Sequence, residues 1–188
     1  MRTIALLACL AASLAAEDRT LRLQDAEGNV VANLIPLSDG FRIVDEGGAV
    51  LGEARASEDR VRLVNERGEE VLSVVRQGFG AEVRQASGDV EYVLREEGGE
   101  WRVQDASGSD LGRFRLSEDG FELRTSDDQV SARITTREDR IRFEDGSGAL
   151  KSELRSTSEA RAWIWLALDR LSVAERVAIA TWFLKVTR

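Results

Sequence analysis

Phe41-Arg42-Ile43-Val44-Asp45-Glu46-Gly47-Gly48 is one copy of a pattern that repeats at a spacing of twenty residues without a gap. Its seven copies begin at Leu21, Phe41, Val61, Ala81, Trp101, Phe121 and Ile141. The third column holds Leu23, Ile43, Leu63, Val83, Val103, Leu123 and Phe143, and the fourteenth holds Leu34, Ala54, Val74, Leu94, Phe114, Ile134 and Leu154. All three columns are apolar in every copy, although only 43% of the chain is apolar. Chance gives that agreement about once in 10⁸, and picking the best three columns raises the odds only about a thousandfold.

Between the first and third columns stand Arg22, Arg42, Arg62, Glu82, Arg102, Glu122 and Arg142. Apolar, charged, apolar is the period-two alternation of a strand with one dry and one wet face. The fifth column is Asp25, Asp45, Asn65, Gln85, Asp105, Thr125 and Asp145. Three residues later come Gly28, Gly48, Gly68, Gly88, Gly108, Asp128 and Gly148. Asp closes a local turn through its side chain and Gly accepts positive φ, so D-x-x-G reads as a short hairpin loop. The apolar positions then change parity, as a returning strand needs if it is to keep the same face inward. Ser38-Asp39-Gly40, Glu58-Asp59-Arg60, Glu118-Asp119-Gly120 and Glu138-Asp139-Arg140 supply a second turn. The third and fourth copies carry Gly78, Gly80, Gly98 and Gly99 there instead, which predicts a bulge or register change. Seven such units predict a mainly β fold, an antiparallel meander of about 12–14 short strands.

At 188 residues the chain suits one domain, divided here into 1–16, 17–156 and 157–188. Thr3 through Ala16 carry no charge, Arg2 precedes them, and Ser13-Leu14-Ala15 offers small residues for cleavage. This resembles a secretory signal peptide, which implies a secreted, periplasmic or envelope protein. Leu6-Leu7-Ala8-Cys9 also resembles a bacterial lipobox, in which Cys9 would be lipidated. Cys9 is the only cysteine, so the body of the protein has no disulfide and relies on packing and the sheet ladder. The net charge of −8 argues against nucleic acid as a partner, and anionic lipid is repelled unless charge is segregated.

After Leu154 the periodicity gives way to nearly unbroken apolar sequence. Ser156-Thr157-Ser158-Glu159 and Ser172-Val173-Ala174-Glu175 both fit a capping box, predicting helices over roughly 157–170 and 173–186. Both are apolar on every side, so both belong inside something. Lipid is the poorer sink: Asp169, Arg170, Glu175 and Arg176 would sit near the middle of a single span. At about 3 kcal/mol each they cost about 12 kcal/mol, against about 5–9 kcal/mol returned by the apolar residues. The inner face of the sheet is the better one. Eight strands make a barrel that side chains alone fill, whereas a larger meander leaves a space suited to a helix about 10 Å across. The expectation is a closed barrel around an apolar C-terminal helix, the first of the two, with a second C-terminal helix following.

The units Phe41 to Gly48 and Trp101-Arg102-Val103-Gln104-Asp105-Ala106-Ser107-Gly108, followed by the apolar stretch Trp163 to Leu171, resemble the tubby-like superfamily, which includes phospholipid scramblases and LURP-one-related proteins. Leu168-Asp169-Arg170 is similar to the way such helices end. The resemblance is architectural and implies a barrel wound around a central apolar helix, with a lipid-like ligand as the associated expectation. The chain has one more unit than that family's barrel, and its basic headgroup patch maps onto no residue here. The D-x-x-G turns are also similar to the YD-type repeats of bacterial toxin shells, but the only tyrosine, Tyr92, lies in a second strand.

No histidine is present, which excludes a Ser-His-Asp triad, a Cys-His dyad and any histidine metal site. The acids occupy turn columns or exposed strand columns, where turn-making accounts for them better than glycoside chemistry does. One Asp per turn also falls short of the six or so oxygens that calcium gathers. The column of Arg22, Arg42, Arg62, Arg102 and Arg142 reads either as an anion-binding stripe or as cross-strand partners of Glu and Asp. Trp163, Trp165 and Trp182 read either as a ligand-stacking cluster or as core anchors. The functional expectation is a non-enzymatic module without cofactor or metal, binding a protein partner or a lipid-like, apolar ligand. Its signature would be an apolar cavity beside the plug with a few cations at the rim. The alternative is a protein that associates with a membrane through its C-terminal helices.

Overall fold

The computed structural model describes residues 20–156 and 160–186. The expected signal segment and Cys9 lie outside the described residues, as does most of the first expected capping box. Each repeat unit is a hairpin of two strands, and the first unit shows the plan with β1 (Leu21–Asp25) and β2 (Val30–Leu37). The last unit ends with β13 (Arg140–Asp145) and β14 (Leu150–Arg155). Every strand is antiparallel to its sequence neighbours, and β1 pairs with β14 through Leu23 opposite Leu154. The result is a closed barrel of fourteen strands with no free edge.

The D-x-x-G loops are type I turns followed by a left-handed residue. In the fifth unit Gly108 N–H donates to Asp105 C=O at 2.9 Å, and Asp105 N–H donates to Ser109 C=O at 3.0 Å. Gly108 has φ +84°. The Asp105 carboxylate then accepts from the N–H groups of Ser107 and Ser109, both at 2.9 Å. In the sixth unit Asp128 takes the glycine's place at φ 61°.

The bulge or register change expected at Gly78, Gly80, Gly98 and Gly99 is absent, because pairing across those turns stays in register, with Gln77 opposite Gly80 and Glu97 opposite Glu100. Instead every hairpin carries a bulge where the returning strand leaves the Asp turn. Val31, Leu51, Val71, Glu91, Leu111, Ser131 and Lys151 are the extra residues that the ladder skips. Such a repeated bulge adds twist and coil to each hairpin, which helps an antiparallel meander curl into closure.

Inside the barrel, the first, third and fourteenth columns meet. Leu34, Ile43, Ala54, Val61, Val74, Ala81, Val83, Leu94 and Ile141 are among the residues with no more than 1% of their surface exposed. The C-terminal segment fills the remaining space. It begins with α1 (Ala160–Trp163), which tightens into a 3₁₀ turn over Ile164–Ala167. This is shorter and less regular than the helix expected over 157–170. A turn leads to α2 (Val173–Lys185). The seven consecutive residues Val177 to Phe183 are all buried, which a helix manages only when it is enclosed on every side. Both helical pieces belong to one core cluster with the inner face of the sheet. Fourteen strands give a backbone radius of about 13–14 Å, wide enough for a second helical piece beside the first.

Candidate functional site

A barrel whose lumen is filled offers its two mouths as places for chemistry, and the path of the C-terminal segment defines both. β14 ends at the return-turn mouth, and the segment enters the lumen there. Leu168 to Leu171 emerge at the Asp-turn mouth beside Tyr92, Thr125 and Ser131. α2 then runs back, and the carbonyl of Val186 accepts from Arg76 Nη2 at 2.5 Å at the return-turn mouth. The turn is held by the capping box read from sequence: Ser172 Oγ accepts from Glu175 N–H at 3.3 Å, and Ser172 N–H donates to Glu175 Oε2 at 2.7 Å. Arg176 Nη1 donates to Leu166 C=O at 2.7 Å, tying the two helical pieces together, and burial pulls its guanidinium below the usual arginine range.

The return-turn mouth holds a cavity of ≈390 Å³. Trp101, Trp182 and Phe183 form its floor with Ala162 and Leu184, and Arg76, Gln77, Glu96 and Arg161 its polar rim. Gly80 completes the wall at φ +146°; a Cβ there would stand 2.2 Å from the Leu94 carbonyl oxygen and 3.1 Å from the Trp101 ring. Arg161 Nη2 reaches Glu96 Oε1 at 3.2 Å across the opening. The volume lies within the roughly 300–1,000 Å³ of small-molecule sites.

The tryptophans singled out from sequence divide between core and cavity. Trp163 is buried edge-on against Phe41, with ring centroids 5.5 Å apart. Trp165 stacks on Phe183 at 4.6 Å and meets Phe114 edge-on at 5.0 Å. Only Trp182 reaches a cavity, and it does so beside Trp101, which is buried in the core cluster and was not among those singled out from sequence. The signal was there: Trp101 is the one tryptophan in the seven first-column positions. The indole N–H groups of Trp101, Trp165 and Trp182 are sealed from solvent without an oxygen or nitrogen acceptor. Aromatic rings surround them: Trp101 stands edge-on to Trp165 at 5.9 Å and to Trp182 at 6.4 Å, and Trp182 edge-on to Phe183 at 4.9 Å.

The Asp-turn mouth holds a second cavity of ≈220 Å³ between the inter-helix turn and the strands of the fourth to sixth units. Val103, Leu111, Leu123 and Leu171 line it, with Tyr92, Thr125, Ser131, Asp169 and Arg170. Burial first, then the carboxylate of Glu91, pushes the Tyr92 phenol above its usual range; Glu175 adds to this and Arg170 opposes it. Charge is strongly segregated toward this mouth. The seven Asp turns with their flanks (24–31 and its six counterparts) and residues 168–176 contain seventeen Asp and Glu against six Arg and Lys. The other described residues contain fourteen against seventeen.

The arginine column is mostly consumed in ion pairs on the outer wall: Arg42 with Glu53 at 2.6 Å, Arg102 with Glu97 at 3.5 Å and Arg142 with Glu144 at 3.8 Å. Arg22 stands opposite Asn33 and Arg155, and Arg62 opposite Ser73 and Arg55, so no continuous stripe forms. Among the described residues, no three carboxylates converge as metal donors would, and no helix is long and apolar enough to cross a membrane.

No protein-family model and no curated protein matches this chain. Among solved structures, it is similar to the X-ray structure of a protein from Arabidopsis thaliana, with 14% identity and a TM-score of 0.40, covering 81% of this chain and 90% of that one. So remote a likeness carries no argument about function.

Proposed function

We propose that the chain is a non-enzymatic binding module that holds a lipid-like or other apolar ligand at the return-turn mouth. The observation that supports this reading is the cavity of ≈390 Å³ with an aromatic floor and two guanidinium groups at its rim. Its floor is fixed by the packed C-terminal segment, so the site is largely formed before a ligand arrives, which lowers the entropic cost of binding. Arg76, which holds the Val186 carbonyl, and Arg161, which pairs with Glu96, put guanidinium donors at the rim and favour a ligand whose polar end accepts hydrogen bonds. Native mass spectrometry of protein purified from cells, with extraction and analysis of any retained molecule, tests the reading. A stoichiometric apolar molecule is expected, and Leu184→Trp, which narrows the cavity, should reduce its retention. An empty protein that also fails to quench Trp101 and Trp182 fluorescence on titration with a long-chain fatty acid would overturn it.

A further inference from the structure

The Asp-turn mouth combines an apolar cavity with most of the molecule's negative charge, at the opposite end of the barrel from the return-turn cavity. Leu111, Leu123 and Leu171 give the cavity apolar walls. The space of ≈220 Å³ exceeds the roughly 150 Å³ of an apolar cavity that takes up benzene, so it suits one aromatic ring with a small substituent. Tyr92, the only tyrosine, presents an amphipathic ring to it. Asp169 lines the cavity with Tyr92 and stands largely exposed in the inter-helix turn, 3.8 Å from Arg176 Nη1, and Glu91 precedes Tyr92 on the same strand. Seventeen carboxylates against six cations surround this mouth, and a concave site with low-dielectric walls focuses such a field into its opening. A metal ion is a poor occupant, since the donors do not converge and the walls are apolar. An aromatic ring and a carboxylate on an otherwise apolar wall, inside an acidic mouth, instead match a soft cation carried on an apolar body.

We infer that the Asp-turn mouth binds a small organic ammonium ion, with its apolar part between Leu111 and Leu171 and its charge beside Tyr92. This site is separate from the return-turn cavity and stands whether or not that cavity holds a lipid. Arg170 also lines the opening and opposes the ligand by its charge, so its removal should tighten binding.

The test is calorimetric titration of the full chain with benzyltrimethylammonium, alongside its uncharged carbon isostere neopentylbenzene and the anion phenylacetate. The cation is expected to bind about tenfold tighter than the isostere at low ionic strength, weakening with added salt, with no binding of phenylacetate. Arg170→Ala should tighten the cation about three- to fivefold, and Glu91→Gln should weaken it by a similar factor. Leu111→Trp should abolish binding by filling the cavity, while Leu184→Trp at the opposite mouth leaves it unchanged. Absence of cation binding, equal binding of the isostere, or weaker binding in Arg170→Ala overturns the inference. Binding of a basic peptide but not of benzyltrimethylammonium also overturns it, in favour of the acidic surface acting as a protein contact.

Discussion

At the scale of single residues, the Asp turns link local geometry to pH. Asp25, Asp105 and Asp145 each accept hydrogen bonds within their own loop, and these bonds hold their carboxyls below the ordinary aspartate value of 3.8. For Asp105 the largest cause is the Ser107 hydroxyl, which donates at 2.6 Å. A group whose pKa is lower in the folded state binds its proton more readily once unfolded. The stability it contributes is therefore present above the unfolded value and is lost as pH falls through the folded one. Asp105→Asn should accordingly lower the urea midpoint at pH 7. The gap from the parent protein should narrow as pH falls below about 4. A gap that stays constant down to pH 2 would show that the carboxylate's charge plays no part. The turn itself was legible in sequence, because Asp and Gly carry the signal in their own chemistry. Asp128 was legible too, as the residue that keeps the turn at φ 61° without a glycine.

At the scale of elements, the strands and α2 were readable and the bulges were not. Strands announce themselves through alternation, and α2 through Ser172 and Glu175, because both signals reside in side chains. The bulge is a backbone event with no side-chain signature: the residue skipped by the ladder is Val31 in one copy, Glu91 in another and Lys151 in a third. The first helical piece was misjudged in length for a related reason. An apolar run such as Ala162 to Leu168 reports burial but not regularity, and here it passes from α-helix into a 3₁₀ turn within eight residues, Ala160 to Ala167. The capping box offers a direct check on the element that is best defined. Ser172→Ala should destabilise the protein by about 1 kcal/mol, seen as a lower urea midpoint with an unchanged slope. Ser172→Asp should recover most of that loss, since its carboxylate restores the acceptor for Glu175 N–H.

At the scale of the whole molecule, neither cavity was legible, because each is assembled from units far apart in sequence. Trp101 and Trp182 share a cavity floor across eighty-one positions, and only the closure of the barrel brings them together. The charge asymmetry was hidden differently. The acids were seen one turn at a time, and the antiparallel meander is what gathers all seven Asp turns at one mouth. Closure also makes the C-terminal segment indispensable. Inward columns such as Leu34, Ile43, Val74, Leu94 and Ile141 would otherwise face a wide apolar hollow. A cavity left in a core costs about 24 cal/mol per Å³, so an emptied lumen of even 1,000 Å³ would cost roughly 24 kcal/mol. That exceeds the roughly 5–15 kcal/mol by which whole domains are stable. A chain ending after residue 156 is therefore expected to yield no folded monomer, and Trp165→Ala in the full chain should already cost about 3–5 kcal/mol. Size-exclusion chromatography with far-ultraviolet circular dichroism distinguishes the outcomes for the shortened chain. Aggregation or loss of the sheet signal would show that the barrel closes only around its own C-terminal segment. A folded, closed monomer would mean that the sheet stands without its filling, and both mouth cavities would then need another explanation for their fixed floors.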